Sequence, residues 1–143
     1  MDVLYLSDNL READRLEVEA GGRTPFEALN NGYERSEFLR TITYNGKPCG
    51  MVGIGFYDLP DLADMGCVWM LGTDDLTANP RRFLEACRAY LPDLFIKPVL
   101  CNYVWAQNDV HIRYLEWMGA EFDLEPEIIN GQEYYYFEMR YNV

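Results

Sequence analysis

Residues 101–122, CNYVWAQNDVHIRYLEWMGAEF, decide how the chain folds. They read as a buried strand, a polar corner and an amphipathic helix stopped by a glycine. Residues 100–105 form a β-favouring run with Tyr103, Val104 and Trp105 at its centre. Asn108 or Asp109 can cap the helix that follows by accepting from its unpaired backbone N–H groups. Val110, Tyr114 and Trp117 fall at i, i+4 and i+7, which predicts one core-facing stripe. Gly119 permits the left-handed residue that ends a helix, and Phe122 opens another strand.

Upstream, residues 3–6 read as a short apolar strand, and residues 10–20 as a charged amphipathic helix with Leu16 and Ala20 inward, closed by Gly21-Gly22. Thr24-Pro25-Phe26-Glu27 is a helix start: a threonine cap, a proline in the first turn and a glutamate three residues past the cap. That helix is expected to run to about Glu34. Residues 38–44 alternate as a strand, and Asn45-Gly46 is a two-residue hairpin turn, because both positions favour positive φ. The returning strand, 49–57, carries Gly50, Gly53 and Gly55, which mark a bulge or a close approach of another group. An acidic loop over 58–64 leads to a buried strand at 66–72.

After the polar loop at 73–79, Asn79-Pro80 opens a helix with Phe83, Leu84, Cys87 and Leu91 inward and Pro92 as its end. Beyond the central segment, 122–129 and 132–141 read as a strand pair joined by the turn Asn130-Gly131. The resulting order is βααβββαβαββ.

The length of 143 residues suits one domain spanning 1–143 with its own core. The sequence contains no apolar run of membrane-spanning length, and residues 1–14 lack a signal-peptide pattern, so no membrane partner is expected. The net charge of −12 repels nucleic acid backbones and would tolerate a basic protein partner. Cys49, Cys67, Cys87 and Cys101 show no metal-ligand spacing and read as free thiols in a reducing cytoplasm, with no metal site.

Asn108, followed eleven residues later by Gly119 and then by Phe122, resembles the fifth-strand and fourth-helix segment of GNAT acyl-CoA N-acyltransferases. The run Asn102-Tyr103-Val104-Trp105, with Asn108, His111-Ile112-Arg113, Leu115 and Gly119-Ala120, is closely similar to the internal virion protein A family of short-tailed coliphages, a GNAT-like family also described as acetyltransferases. Weaker similarity covers most of the chain. The order βααβββαβαββ is the GNAT order. The resemblance therefore implies an α/β mixed sheet that splays between its fourth and fifth strands, leaving a slot for the pantetheine arm of acetyl-CoA.

It also implies roles for particular residues. A backbone N–H among Trp69, Met70 and Leu71 would polarise the thioester carbonyl, and Asn108 would bond the pantetheine arm. The loop and helix start carrying Thr77, Asn79, Arg81 and Arg82 would face the pyrophosphate, since a helix N-terminus presents free N–H groups and partial positive charge. That loop holds Asp74 and Asp75 and lacks the glycines of the family pattern. The family's acid tyrosine aligns with Leu115; Tyr114 stands one residue earlier, about 100° round the helix. His111, the chain's one histidine, is the other candidate proton carrier. The acidic residues Asp58, Asp61, Asp64, Asp74 and Asp75 could act as a base or attract a cationic amine.

Two functions follow as expectations. One is a phage-encoded, acyl-CoA-dependent acetyl transfer to an amine in the cytoplasm of the host bacterium. The other is an inactive GNAT-fold protein that serves virion assembly or binds a host protein.

Overall fold

A computed structural model describes residues 2–141. The ends of the domain expected over 1–143, residue 1 and residues 142–143, lie outside them. The described chain folds as a mixed, open sheet of seven strands with helices on both faces. The strands are β1 Phe38–Tyr44, β2 Lys47–Phe56, β3 Met65–Gly72, β4 Val99–Trp105, β5 Glu121–Phe122, β6 Glu127–Ile129 and β7 Gln132–Arg140. Their order is β1-β2-β3-β4-β7-β5, with β6 also paired to β7. The β3–β4 pair is parallel and the others are antiparallel.

Local chemistry sets most boundaries. Asn45 and Gly46 take φ of 52° and 78°, and Asn130 and Gly131 take 53° and 73°, as two-residue hairpins require. Helix α3, Pro25–Arg35, starts with a reciprocal capping box: Thr24 Oγ1 accepts the Glu27 N–H, and Glu27 Oε1 accepts the Thr24 N–H.

Several expectations need correction. Residues 3–6 do not form a strand; they belong to helix α1, Asp2–Asp8. Val3 and Leu6 are spaced i, i+3 and bury together against Leu29, Met51 and Leu71, a face that a strand could not present. The order therefore begins with three helices. The strand expected over 122–129 is two short strands, β5 and β6, separated by residues 123–126 around Pro126. Helix α4, Pro80–Leu94, carries Pro92 in its last turn and ends two residues later.

The inward faces of two helices also differ from the sequence reading. In α2, Glu12–Ala20, Leu16 is exposed while Asp14 is only 1% exposed. In α5, Asp109–Trp117, Val110 is 58% exposed and Trp117 is exposed, whereas Leu115, Ile112 and Met118 pack inward. The strip that meets the sheet is thus rotated from the predicted one, and of the predicted three only Tyr114 lies against the core.

The core has two parts, one on each face of the sheet. Val3, Leu6, Leu29, Met51 and Leu71 join α1 and α3 to one face. Ile54, Leu100, Val104, Leu115, Phe137 and Met139 join α5 to the other, with Leu94 from the end of α4. No described helix is long and apolar enough to cross a membrane.

Candidate functional site

The central feature of the sheet is where β3 and β4 separate. Their ladder runs Met65↔Val99, Gly66↔Leu100, Cys67↔Cys101 and stops there. Each strand continues on its outer edge, β3 with β2 as far as Gly72↔Gly50 and β4 with β7 as far as Trp105↔Tyr134. The inner edges thus part beyond Cys67 and Cys101, and their backbone groups need other partners, because an unpaired buried N–H or C=O is costly.

Side chains supply most of those partners. Asn102 Nδ2 donates to Val68 O at 2.8 Å, and its Oδ1 accepts the Tyr103 N–H at 2.7 Å, so one amide replaces two ladder bonds. Asp14 Oδ2 accepts the Gly72 N–H at 2.9 Å, and the Arg11 N–H donates to Gly72 O at 3.0 Å. Arg11 Nε lies 3.0 Å from Asp14 Oδ2, an ion-pair contact without hydrogen-bond alignment. Glu17 Oε1 accepts the Trp105 N–H at 2.7 Å, and the hydroxyl of Tyr134 donates to Glu17 O at 3.2 Å. Helix α2 therefore lies across the open end of the split, with Asp14 tied to β3 and Glu17, three residues on, tied to β4.

Backbone groups alternate sides along a strand. Because Val68 and Gly72 turn their polar groups into the split, Met70 does too. No described side chain or loop group takes the N–H or C=O of Met70. Of the three residues predicted around the thioester, Met70 alone presents its backbone to the gap. Trp69 sends its indole across Gly53 and Gly32 and donates Nε1–H to Ser36 Oγ at 2.7 Å. Leu71 belongs to the core with α1 and α3.

The corner after β4 is built on Asn108. Its N–H donates to Trp105 O at 2.9 Å, its Oδ1 accepts the His111 N–H at 3.2 Å, and its C=O accepts the Ile112 N–H at 3.0 Å. Asn108 is 4% exposed, and its Nδ2 has no hydrogen-bond partner. His111 Nδ1 lies 3.4 Å from Glu17 Oε2. Tyr114 packs against Phe83 at 5.2 Å between ring centroids. Burial, with the Cys87 thiol beside it, pushes the Tyr114 phenol far above its ordinary range.

The loop at 73–79 is compact. Thr73 Oγ1 accepts the Asp75 N–H, residues 74–77 form one 3₁₀ turn, and Leu76 is buried where a side chain at Gly72 would stand. Asn79 Oδ1 accepts the Arg82 N–H at 3.2 Å and caps α4. Arg81 and Arg82 are exposed on its first turn, Arg81 beside Glu85 at 3.3 Å. Thr77 closes the 3₁₀ turn. Asp74 and Asp75 lie at this end of β3. Asp58, Asp61 and Asp64 lead into its other, paired end, where the Val99 N–H bonds Asp64 O, so the structure separates them from the split.

Sequence reading missed Asp14, Glu17 and Asn102. Charged residues on an amphipathic helix are ordinarily assigned to solvent. The available signals were the i, i+3 spacing of Asp14 and Glu17, which places both on one face, and an amide at the middle of an apolar strand.

These features, a mixed α/β sheet parting between two parallel strands with a capped helix at the corner, define the GNAT acetyltransferase fold. Solved structures agree. The chain is similar to the GNAT domain of PAT from S. lividans, with a TM-score of 0.69 and 12% identity, over 98% of this chain and 84% of that one. It is similar to AAC(6')-Ib, solved with ribostamycin and coenzyme A, with a TM-score of 0.69 and 16% identity, over 97% and 88%. A GNAT-family acetyltransferase from Streptococcus pneumoniae matches with a TM-score of 0.59 and 16% identity, over 83% and 75%. Residues 63–126, fewer than half of the chain, match the family described as "Bacteriophage T7, probable scaffold protein Gp13". That segment contains β3, α4, β4, α5 and β5, and so the whole split. No curated protein sequence matches the chain.

Proposed function

We propose that the chain binds an acyl-CoA thioester in the split between β3 and β4 and transfers its acyl group, as in acetylation, to an amine. The observation that carries this reading is the gap beyond Cys67 and Cys101, with two donors left over: the Met70 N–H on one wall and the buried, unpartnered Nδ2 of Asn108 at the corner. A thioester supplies an activated carbonyl and a thiolate leaving group. In this reading Met70 N–H bonds the carbonyl oxygen, whose charge grows as the amine attacks. Asn108 Nδ2 bonds an amide of the pantetheine arm. Arg81, Arg82 and the start of α4 with Thr77 and Asn79 face the pyrophosphate, opposed by Asp74 and Asp75, so the affinity is modest. The amine nitrogen bonds the carbonyl carbon, the C–S bond breaks, and the amine's proton must reach the departing sulfur. His111 carries that proton; Tyr114, held protonated by burial, packs α5 against α4.

Calorimetric titration with acetyl-CoA tests the reading. Asn108→Asp keeps the cap oxygen and removes the donor, so it should weaken binding roughly tenfold, the scale of one lost hydrogen bond. No binding at millimolar acetyl-CoA would sink the proposal.

A second reading has its own support. Asp14 and Glu17 already occupy inner-edge donors, the loop at 73–79 has no glycine and is filled by Leu76, and the phage scaffold-family match covers the split. These favour a GNAT-fold protein used without catalysis in a phage virion or on a host protein. Co-purification with a virion component, together with a silent titration, would select it.

A further inference from the structure

We infer that Glu17 is a positioning residue for His111: its carboxylate holds Nδ1–H of the imidazole, so that Nε2 carries the lone pair that takes the proton. The inference rests on the acyl-transfer reading above and adds to it a group on a different helix, α2. Bonds from three strands hold α2 around Glu17, one of them to the carboxylate itself. Its Oε1 receives the Trp105 N–H from β4 at 2.7 Å, its backbone oxygen receives the Tyr134 hydroxyl from β7 at 3.2 Å, and its neighbour Asp14 is tied to Gly72 of β3. The end of α2 is pinned as well, since Asn130 Nδ2 donates to Ala20 O at 3.0 Å. The glutamate and the histidine are both largely buried, with side chains 15% and 18% exposed. The remaining oxygen, Oε2, has His111 Nδ1 at 3.4 Å. An ionised carboxylate only accepts hydrogen bonds, so the ring nitrogen facing it carries the hydrogen. The neutral ring is then the Nδ1–H tautomer.

The proton count closes without another reactant. Nε2 takes the proton that the attacking amine loses, and the imidazolium formed lies against the Glu17 carboxylate. The same proton passes from Nε2 to the sulfur as the C–S bond breaks, giving the free thiol and restoring the neutral ring.

The experiment uses the full chain labelled with ¹⁵N. His111 is its one histidine, so the two ring nitrogens are read without assignment at a pH where the ring is neutral. The expected spectrum shows Nδ1 protonated and Nε2 bare. Glu17→Gln keeps an oxygen for the Trp105 N–H but turns an amide N–H₂ toward Nδ1. It should therefore move the ring hydrogen to Nε2 with the fold intact. In acetyl-transfer assays the same variant should lower kcat by roughly 10–100-fold, a part of the ~10²–10⁴-fold that a positioned proton carrier contributes, and leave the KM for acetyl-CoA within about twofold. A wild-type ring protonated at Nε2, or identical ring spectra for wild type and E17Q, overturns the inference. So does E17Q turnover equal to wild type, and that result leaves acyl transfer standing. Absence of turnover in the wild type overturns the transfer reading and the role of Glu17 within it.

Discussion

Gly53 has no side chain because the indole of Trp69 occupies the space. A Cβ built at Gly53 would lie 2.5 Å from Trp69 Nε1, and one at Gly32 would lie 2.5 Å from the same ring. The glycines of β2 were expected to mark a bulge or a close approach of another group; the β1–β2 register does shift beside Gly50, and at Gly53 the approaching group is a tryptophan, which locks α3 to the sheet through Ser36. Gly53→Ala should cost about 1–3 kcal/mol, since a rigid, hydrogen-bonded ring has no room to yield. Urea unfolding of the variant checks this, and an unchanged midpoint would show that the ring does not sit there. Asn102 illustrates a different residue-scale solution. By bonding both Val68 O and Tyr103 N–H it allows the ladder to stop without leaving either group bare.

At the scale of elements, α2 is the helix whose role changes most between sequence and structure. Its apolar content is low, and its inward face is made of Asp14, Glu17 and Val18 rather than Leu16. It is held by carboxylate-to-backbone bonds that exist only because β3 and β4 part. Asp14→Ala would leave Gly72 N–H without its acceptor and Arg11 without its counter-charge. The expected loss is about 3–5 kcal/mol, the range for breaking a buried ion pair by removing one partner. Thermal or urea unfolding measures it. A loss under about 1 kcal/mol would mean that α2 is not anchored to β3. Helix α5 shows how a correct element can carry a wrong face. Its boundaries follow from the Asn108 cap and from Gly119 at φ 95°, but its inward strip depends on where α4 and the sheet stand.

At the scale of the whole molecule, two phenols couple stability to alkaline pH. Burial is the leading cause that raises Tyr114 and Tyr136 far above their ordinary value of 10.0, with a thiol beside each and Glu138 beside Tyr136. In the unfolded chain each would ionise near 10.0, whereas in the fold each keeps its proton. The folded state therefore binds more protons above that value, and stability falls as pH rises through it; below it these phenols add no pH dependence. Ultraviolet titration should show a tyrosinate fraction that appears only together with loss of near-UV circular dichroism. Smooth ionisation of all tyrosines while the fold persists would contradict this.

The sequence by itself determined whatever depends on a few neighbouring residues. The turns at Asn45-Gly46 and Asn130-Gly131, the Thr24–Glu27 box, the caps at Asn79 and Asn108, and strands β1 to β4 were legible because φ preferences and capping bonds act within one turn of chain. Of the candidate site, the Asn108 cap was legible in the same way, whereas His111 was singled out as the one histidine and residues 69–71 through the family resemblance. Only the tertiary structure decided that residues 3–6 are helical, which side of α2 and α5 faces inward, and that Asp14, Glu17 and Asn102 serve the parted edges. Those outcomes depend on burial against distant elements and on backbone groups that lack partners only once β3 and β4 have separated, which no local pattern encodes.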